Sequence, residues 1–123
     1  MAKMKLPLFA ILLLIVAFSV QAKSAFTGTY TVKGVNPGVG AYSGTLTITA
    51  RGDVYDVYWT IANAQYSGVG VVVNDTLSIA YSAADHSWLG VMAYRKTSDK
   101  TLDGHWAVQG RAGAPGTETA VRK

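Results

Sequence analysis

Side chains that could perform acid–base or metal chemistry are few in this sequence. It contains two histidines, His86 and His105, and no cysteine, so it lacks the cysteine and histidine clusters typical of zinc sites. Asp85 precedes His86 in a segment with the composition of a turn, where both side chains would be solvated. No Gly-x-Ser-x-Gly segment is present to hold a nucleophilic serine on a sharp turn. The sequence therefore predicts no catalytic residue, no metal site and no cofactor, and we expect that the protein is not an enzyme.

One tripeptide has a recognised binding chemistry: Arg51-Gly52-Asp53 is the sequence that integrins bind in matrix proteins. Its place between two alternating apolar runs predicts the tip of a hairpin. Gly-Asp is also an ordinary turn sequence, so the tripeptide has a structural interpretation beside the functional one. Arg51, Gly52 and Asp53 are therefore candidates for protein binding.

The elements that must position these residues are β-strands, because apolar and polar residues alternate along most of the chain. The first run places Tyr30 and Val32 on one face and threonines on the other, and the second and third runs repeat this pattern. Such alternation is typical of antiparallel strands with one face in the core and one in water. The run 65–73 is apolar on both faces, so its inner face is not predicted. The eight predicted strands cover residues 26–33, 42–49, 55–61, 65–73, 76–82, 87–95, 102–108 and 116–122.

Short turn sequences separate these runs, so consecutive strands should be neighbours in space. Asn74-Asp75 predicts a tight hairpin, because both residue types tolerate a positive φ. An open sheet of about eight strands would leave two exposed edges, whereas closure into a barrel removes them. For the chain after residue 22, the sequence therefore predicts an all-β fold without helix. This fold is a single antiparallel up-and-down barrel of about eight strands. A two-sheet β-sandwich is the alternative.

The N-terminal segment has the pattern of an export signal. Lys3 and Lys5 precede an almost unbroken apolar run over residues 8–20, and Ala22 ends a segment that suits signal peptidase. The run is shorter than the roughly 20 residues that a membrane-spanning helix needs, so we expect no stable membrane span after cleavage. We predict a signal-peptide helix in residues 1–22 and a single β-barrel domain in residues 23–123 of a secreted or periplasmic protein.

Composition excludes further classes of protein. The formal net charge of +4 includes Lys3 and Lys5 of the leader, so cleavage removes half of it and leaves no electrostatic case for binding nucleic acid. An exported chain without cysteine also has no disulfide framework. Its hydrophobic core alone must therefore stabilise the fold.

Glycine and aromatic residues recur in short motifs along the chain. They include Gly-x-Tyr at Gly28, Tyr-Ser-Gly-x-Leu-x-Ile over residues 42–48, Gly-Asp-x-Tyr-x-Val-x-Trp over residues 52–59 and a closing Gly-Thr-Glu at Gly116. Together they resemble small exported bacterial proteins, mostly uncharacterised, some of which are labelled fibronectin-binding protein. A more distant resemblance is to avidin-like and lipocalin-like barrels. These resemblances imply a barrel fold and an extracellular or envelope protein as partner, with fibronectin as one candidate.

Aromatic residues are the remaining candidates for a binding site. On predicted inward faces they either fill the barrel or line a small cavity. Outward-facing Trp and Tyr would instead suit a protein-binding surface. The candidates for lining a cavity are Tyr30, Tyr42, Tyr55, Trp59, Tyr81 and Trp106. The candidates for protein binding are Tyr58, Trp88 and Tyr94, beside Arg51, Gly52 and Asp53.

Three functions are compatible with these residues. We expect an exported, non-catalytic binding module for an extracellular-matrix protein such as fibronectin. The alternatives are a periplasmic protease inhibitor that acts through residues 23–25, and a carrier for a small apolar molecule inside the barrel. The carrier requires a cavity of roughly 300 Å³ or more.

Overall fold

The computed structural model describes residues Ala25–Lys123 and places most of them in eight β-strands. All eight predicted runs are strands, and Ala25–Lys123 contains no helix, hence none long and apolar enough to cross a membrane. The predicted signal-peptide helix, in residues 1–22, lies outside the described residues. In chain order the strands are β1 (Gly28–Asn36), β2 (Gly40–Arg51), β3 (Val54–Ile61), β4 (Ala64–Val73), β5 (Thr76–Ala83), β6 (Leu89–Lys96), β7 (Thr101–Val108) and β8 (Gly116–Arg122).

The strands form one closed antiparallel barrel in which each strand pairs with its neighbour in sequence. Closure is made by β1, whose Tyr30 lies opposite Leu46 of β2 on one side and Arg122 of β8 on the other. The predicted up-and-down barrel is therefore confirmed. The alternative β-sandwich is wrong, because the last strand pairs with the first and leaves no sheet edge.

The turns between strands divide the barrel into two ends. One end, here called the closed end, carries residues 25–27, the C-terminus and three connections. Asn74 and Asp75 form one of these, with φ angles of 49° and 62°, as the predicted tight hairpin requires. The connections at the closed end are 52–53, 74–75 and 97–100, and those at the other, open end are 37–39, 62–63, 84–88 and 109–115.

Alternate residues of each strand point into the barrel and form its core. On β4, whose inner face the sequence did not predict, Gly68 and Gly70 face inward and Val69 and Val71 face outward, where they are 48% and 45% exposed. The buried hydrophobic residues are Phe26, Tyr30, Val32, Leu46, Ile48, Tyr55, Val57, Trp59, Leu77, Ile79, Met92, Tyr94, Leu102 and Ala120.

Inside the barrel, large aromatic side chains lie opposite glycines of the neighbouring strand. Tyr94 of β6 pairs with Gly104 of β7, and Tyr81 of β5 pairs with Gly90 of β6. A Cβ atom on Gly104 would lie 2.7 Å from Tyr94 Cε1, and one on Gly90 would lie 2.6 Å from Tyr81 Cζ. Any side chain at these glycines would displace the ring, so the glycines determine where the aromatic rings can lie.

Candidate ligand cavity

The open end of the barrel leads into a cavity of about 530 Å³. Six aromatic side chains line it, and these include all three tryptophans of the chain. They come from β2, β3, β4, β5, β7 and the 84–88 loop, so the wall is aromatic on most sides. The lining aromatic residues are Tyr42, Trp59, Tyr66, Tyr81, Trp88 and Trp106.

These rings contact one another around the cavity. The ring centroids of Trp59 and Tyr81 are 5.2 Å apart, and Trp88 lies 5.7 Å from both Tyr66 and Tyr81. These distances fall in the range of favourable tilted and edge-to-face pairs. The rings therefore hold each other in place while leaving the centre of the open end unfilled.

A carboxylate lies at the base of the aromatic wall. Glu118 of β8 is only 3% exposed, although it also lines the cavity. Its Oε1 accepts a hydrogen bond of 2.8 Å from the Tyr42 hydroxyl, and its Oε2 accepts a short one from the Tyr94 hydroxyl. These charge-assisted bonds stabilise a buried carboxylate without a basic partner. Within Ala25–Lys123, no Lys, Arg or His nitrogen forms a salt bridge with Glu118.

Two indole groups complete this network. Trp106 Nε1 donates to the Tyr42 hydroxyl, and Trp59 Nε1 donates to the Tyr94 hydroxyl, each over 3.0 Å. Each phenol thus accepts from an indole and donates to one oxygen of Glu118. In both series of hydrogen bonds the last donor is a phenol that donates to the carboxylate, so the network favours the ionised form of Glu118 over the protonated acid.

Burial acts against that ionised form. Burial raises the pKa of Glu118 above its ordinary value, although the Tyr94 and Tyr42 hydrogen bonds partly offset the rise. Burial and the nearby Glu118 charge also raise the pKa of Tyr42 and of Tyr94, and they raise that of Tyr81 to about 12. The tyrosines therefore stay protonated at neutral pH and remain available as donors.

The rim of the cavity is polar and carries a cation. Arg111, in the 109–115 loop, is exposed and donates from Nη2 to Asn36 Oδ1 over 2.9 Å. This bond joins the last residue of β1 to the loop before β8. Arg111 and Glu118 thus place opposite charges at the mouth and at the base of the same cavity.

The predicted cavity residues divide between the two ends of the barrel. Tyr42, Trp59, Tyr81 and Trp106 line the cavity, whereas Tyr30 and Tyr55 are buried at the closed end. There Tyr30 donates to the Phe26 carbonyl over 2.7 Å, and the Tyr55 ring packs edge-on against Phe26. Arg122 covers Tyr30, with Nη2 donating to its hydroxyl over 3.0 Å.

The predicted protein-binding aromatic residues lie in three different environments. Tyr58 of β3 points outward and is 54% exposed. Trp88 is half-buried and lines the cavity. The prediction of Tyr94 as a protein-binding residue is wrong, since this residue is fully buried. Its position on the inner face of β6 follows from the register that places Gly104 opposite it.

Arg51-Gly52-Asp53 lies at the β2–β3 hairpin tip, at the closed end and remote from the cavity lining. Gly52 has a φ of 64°. The Arg51 guanidinium donates from Nε to Asp56 Oδ2 over 2.9 Å and from Nη2 to Asp56 Oδ1 over 3.1 Å. These bonds lower the pKa of Asp56. The Arg51 side chain is therefore already engaged by its own hairpin.

The two histidines lie outside the cavity lining. His86 adopts a φ of 56° in the 84–88 loop, and its Nδ1 is 2.9 Å from Ser82 Oγ. His105 points outward from β7 and is exposed. Within Ala25–Lys123, no three His, Cys, Asp or Glu side chains come close enough to form a metal site.

Sequence reasoning did not select Tyr66 or Glu118 as site residues. Tyr66 carries a signal, since Tyr-Ser-Gly at 66–68 repeats the motif at 42–44 that supplies Tyr42. Glu118 carries a weaker signal. Polar and apolar residues alternate little along β8, and a single acidic residue in a strand usually faces water. The inward direction of Glu118 depends on the register in which β8 pairs with β1 and β7, which the sequence alone does not reveal.

No protein-family model matches the chain, and no curated protein matches it. Among solved structures the chain is similar to designed β-barrels. A redesigned β-barrel has a TM-score of 0.71 at 18% identity, covering 83% of this chain and 95% of the other. The redesigned barrel mFAP1, bound to DFHBI, has a TM-score of 0.69 at 18% identity, covering 82% and 98%. A de novo designed fluorescence-activating β-barrel has a TM-score of 0.64 at 14% identity, covering 83% and 97%.

At these identities the similarity shows the fold alone. It confirms the distant resemblance to barrel proteins, while the resemblance to exported bacterial proteins labelled fibronectin-binding stays a prediction. Fold and site together define a closed eight-stranded β-barrel with an aromatic cavity at one end.

Proposed function

We propose that the protein binds a small, mostly apolar molecule in the open-end cavity and carries it without changing it chemically. The observation that supports this function best is the cavity of about 530 Å³ with its six aromatic side chains. Typical small-molecule sites have volumes of about 300–1,000 Å³, apolar walls and a few fixed polar groups. Glu118 and the hydroxyls of Tyr42 and Tyr81 are polar groups of that kind.

The comparisons support this function at the level of the fold. The similar redesigned barrels mFAP1 and mFAP0 are bound to the small molecule DFHBI. A barrel of this architecture is thus compatible with a small-molecule ligand. For the present chain, binding remains a proposal that a titration can test.

The test is a titration with N-phenyl-1-naphthylamine, a neutral apolar dye that fluoresces strongly in apolar sites. Val108→Phe adds a ring to the cavity lining, whereas Val91→Phe adds the same ring to the outer face, where Val91 is 60% exposed. We expect Val108→Phe to weaken dye binding about tenfold or more, because the ring occupies ligand space. Val91→Phe should leave binding unchanged. The reverse order, or no saturable binding by the unaltered protein, would contradict the carrier function.

A second candidate is the protein-binding function that the sequence predicts. Its support is the outward-facing apolar surface of β4 and β6, where Val69, Val71, Leu89 and Val91 are 45–60% exposed, and the exposed Tyr58 nearby on β3. Exposed apolar patches of this kind often mark interaction sites. If this surface binds fibronectin, Val91→Asp should abolish capture on immobilised fibronectin at physiological salt, whereas Val108→Phe should not affect it.

Export remains part of the proposal. We place the carrier in the periplasm or outside the cell because of the predicted signal in residues 1–22. Mass spectrometry of the protein from its native host would test this, since cleavage after Ala22 should leave Lys23 as the first residue. The inhibitor hypothesis depends on residues 23–25, of which the structure describes Ala25, and it stays a prediction.

A further inference from the structure

We infer that the ligand is a small organic cation, a quaternary or protonated amine with an apolar body, whose positive charge lies between the Glu118 carboxylate and the aromatic side chains. This inference rests on the proposed function and specifies the chemical class of the ligand. It depends on three features of the open end: a buried carboxylate without a cationic partner, an aromatic wall around it, and an apolar space above it.

The carboxylate supplies the first argument. Glu118 lines the cavity, is 3% exposed, accepts hydrogen bonds from the Tyr42 and Tyr94 hydroxyls, and forms no salt bridge among the residues that the structure describes. A buried charge is normally paired with an opposite charge, because hydrogen bonds alone replace its hydration incompletely. Arg111 lines the same cavity but is bonded to Asn36 at the rim, so the described residues leave Glu118 without a paired opposite charge. A cationic ligand in the adjoining cavity would supply it.

The aromatic wall supplies the second argument. Six rings line the same space, and the face of each ring carries partial negative charge. Aromatic cages of this composition are a general solution for binding quaternary and methylated ammonium groups. An apolar wall alone would accept any apolar molecule, and a carboxylate alone would suit a strongly hydrated cation. Their combination favours a cation with apolar substituents.

Arg111 does not contradict this assignment. Its guanidinium is exposed at the rim and bonded to Asn36, so water screens its charge, whereas the charge of Glu118 is buried. An anionic ligand could place its charge only at the rim beside Arg111, because a negative charge deep in the cavity would lie near Glu118. At the rim water screens the attraction, so the buried charge of Glu118 favours a cation over an anion in the depth of the cavity.

The test compares two probes of nearly identical shape, phenyltrimethylammonium and tert-butylbenzene. Tryptophan fluorescence at pH 8.5 reports binding of both, because every tryptophan of the chain lines the cavity. We expect the cation to bind at least about tenfold more tightly than its neutral counterpart. Equal or weaker binding of the cation would overturn the inference.

Glu118→Gln removes the charge and keeps the shape of the side chain. It should lower phenyltrimethylammonium affinity about tenfold or more and leave tert-butylbenzene affinity within about twofold. The matched control is Asp56→Asn, which neutralises a carboxylate on the outer surface beside Arg51; it should change neither affinity. An unchanged cation affinity in Glu118→Gln would overturn the inference.

A pH titration of the unaltered protein gives an answer even if Glu118→Gln fails to fold. Protons compete with the cation for Glu118, whose pKa burial raises, so phenyltrimethylammonium should bind more tightly at pH 8.5 than at pH 4.5. Tert-butylbenzene should show no such trend, and matching pH profiles for the two probes would overturn the inference. The other titratable or charged groups around the cavity are Tyr42, Tyr66, Tyr81, Tyr94 and Arg111.

The possible outcomes distinguish a failure of the cationic-ligand inference from a failure of the proposed carrier function. Similar affinities for both probes, unaffected by Glu118→Gln but weakened by Val108→Phe, would leave the carrier function intact and overturn the cationic ligand. If neither of the two probes nor N-phenyl-1-naphthylamine bound to the protein, both the cationic ligand and the carrier function would be overturned.

Discussion

At the closed end of the barrel, Arg122 of β8 lies against Tyr30 and donates to the Ala25 carbonyl. At the open end, Glu118 of the same strand accepts hydrogen bonds from Tyr42 and Tyr94. Both ends therefore combine tyrosines with one charged residue of β8. They differ in what covers that residue.

Residues 25–27 account for the difference. At the closed end, Phe26 is buried against Tyr55, and the Phe26 and Ala25 carbonyls accept from Tyr30 and Arg122. The backbone of this segment thus accepts hydrogen bonds from the Tyr30 hydroxyl and from Arg122 Nη2, while Phe26 fills the space and Arg122 Nε is buried without a hydrogen-bond partner. None of the described residues does the same at the open end, where the charged group faces a cavity of about 530 Å³. The chain itself fills the closed end, whereas the open end keeps a cavity that we propose a ligand occupies.

Truncation of a tyrosine at each end should give the largest contrast. Tyr30 is fully buried, so Tyr30→Ala should lower the free energy of unfolding by about 3–5 kcal/mol. Tyr81 borders an existing cavity, so Tyr81→Ala should cost only about 1–2 kcal/mol. Urea unfolding followed by circular dichroism measures both. Equal losses would mean that the open end is packed as tightly as the closed end.

Substitution of Gly104 should weaken ligand binding at the open end as well as lower the stability of the barrel. Gly104→Ala places a methyl group against the Tyr94 ring and the Met92 sulfur, and overpacking of this kind costs about 1–3 kcal/mol. Because the displaced ring carries the hydroxyl that bonds Glu118, phenyltrimethylammonium affinity should fall as well. A stable variant with unchanged affinity would show that the position of Tyr94 is not important for the site.

The pH dependence of the free energy of unfolding should report the raised pKa of Glu118. Its folded-state pKa is raised, so its contribution to stability is present at acidic pH and is lost as the pH rises through that value. Asp56 and Asp85 have lowered pKa values and act in the opposite direction. The comparison is therefore urea unfolding of the unaltered protein and of Glu118→Gln from pH 4.5 to pH 8.5. Relative to the variant, the unaltered protein should lose stability across this range; parallel curves would exclude the raised pKa.

The smallest effect is expected on the outer surface near the closed end. Asp56→Asn removes an exposed ion pair with Arg51, and such pairs contribute little to stability. Thermal unfolding should be unchanged within measurement error. A clear loss of stability would give the 51–56 hairpin a structural role that its exposure does not suggest.

The barrel could be predicted because its signals are local. Alternation identified the strands, Asn74-Asp75 identified a hairpin, and the short turns required neighbouring strands to pair. The inner face of β4 could not be predicted, because residues 65–73 are apolar on both faces. The inward direction of Tyr94 on β6 was not predicted either, because the space for its ring comes from Gly104 of another strand. Register between strands decided both faces, and the sequence does not encode register locally.

The cavity was harder to predict than the fold for the same reason. Inward-facing tyrosines can either fill a barrel or line a space, and the sequence placed Tyr30 and Tyr81 in one group. The structure separates them, because Phe26 covers the first and the open mouth adjoins the second. Glu118 has its role only through its hydrogen bonds with Tyr42 and Tyr94, residues of two other strands.

The most direct test of the open-end site is a crystal structure of the protein with phenyltrimethylammonium. The account predicts the probe inside the barrel, with its ammonium group next to the Glu118 carboxylate and its methyl groups against the rings of Trp59, Tyr81 and Trp106. A probe bound instead on the outer face near Val91, or a barrel interior closed by its own side chains, would contradict it.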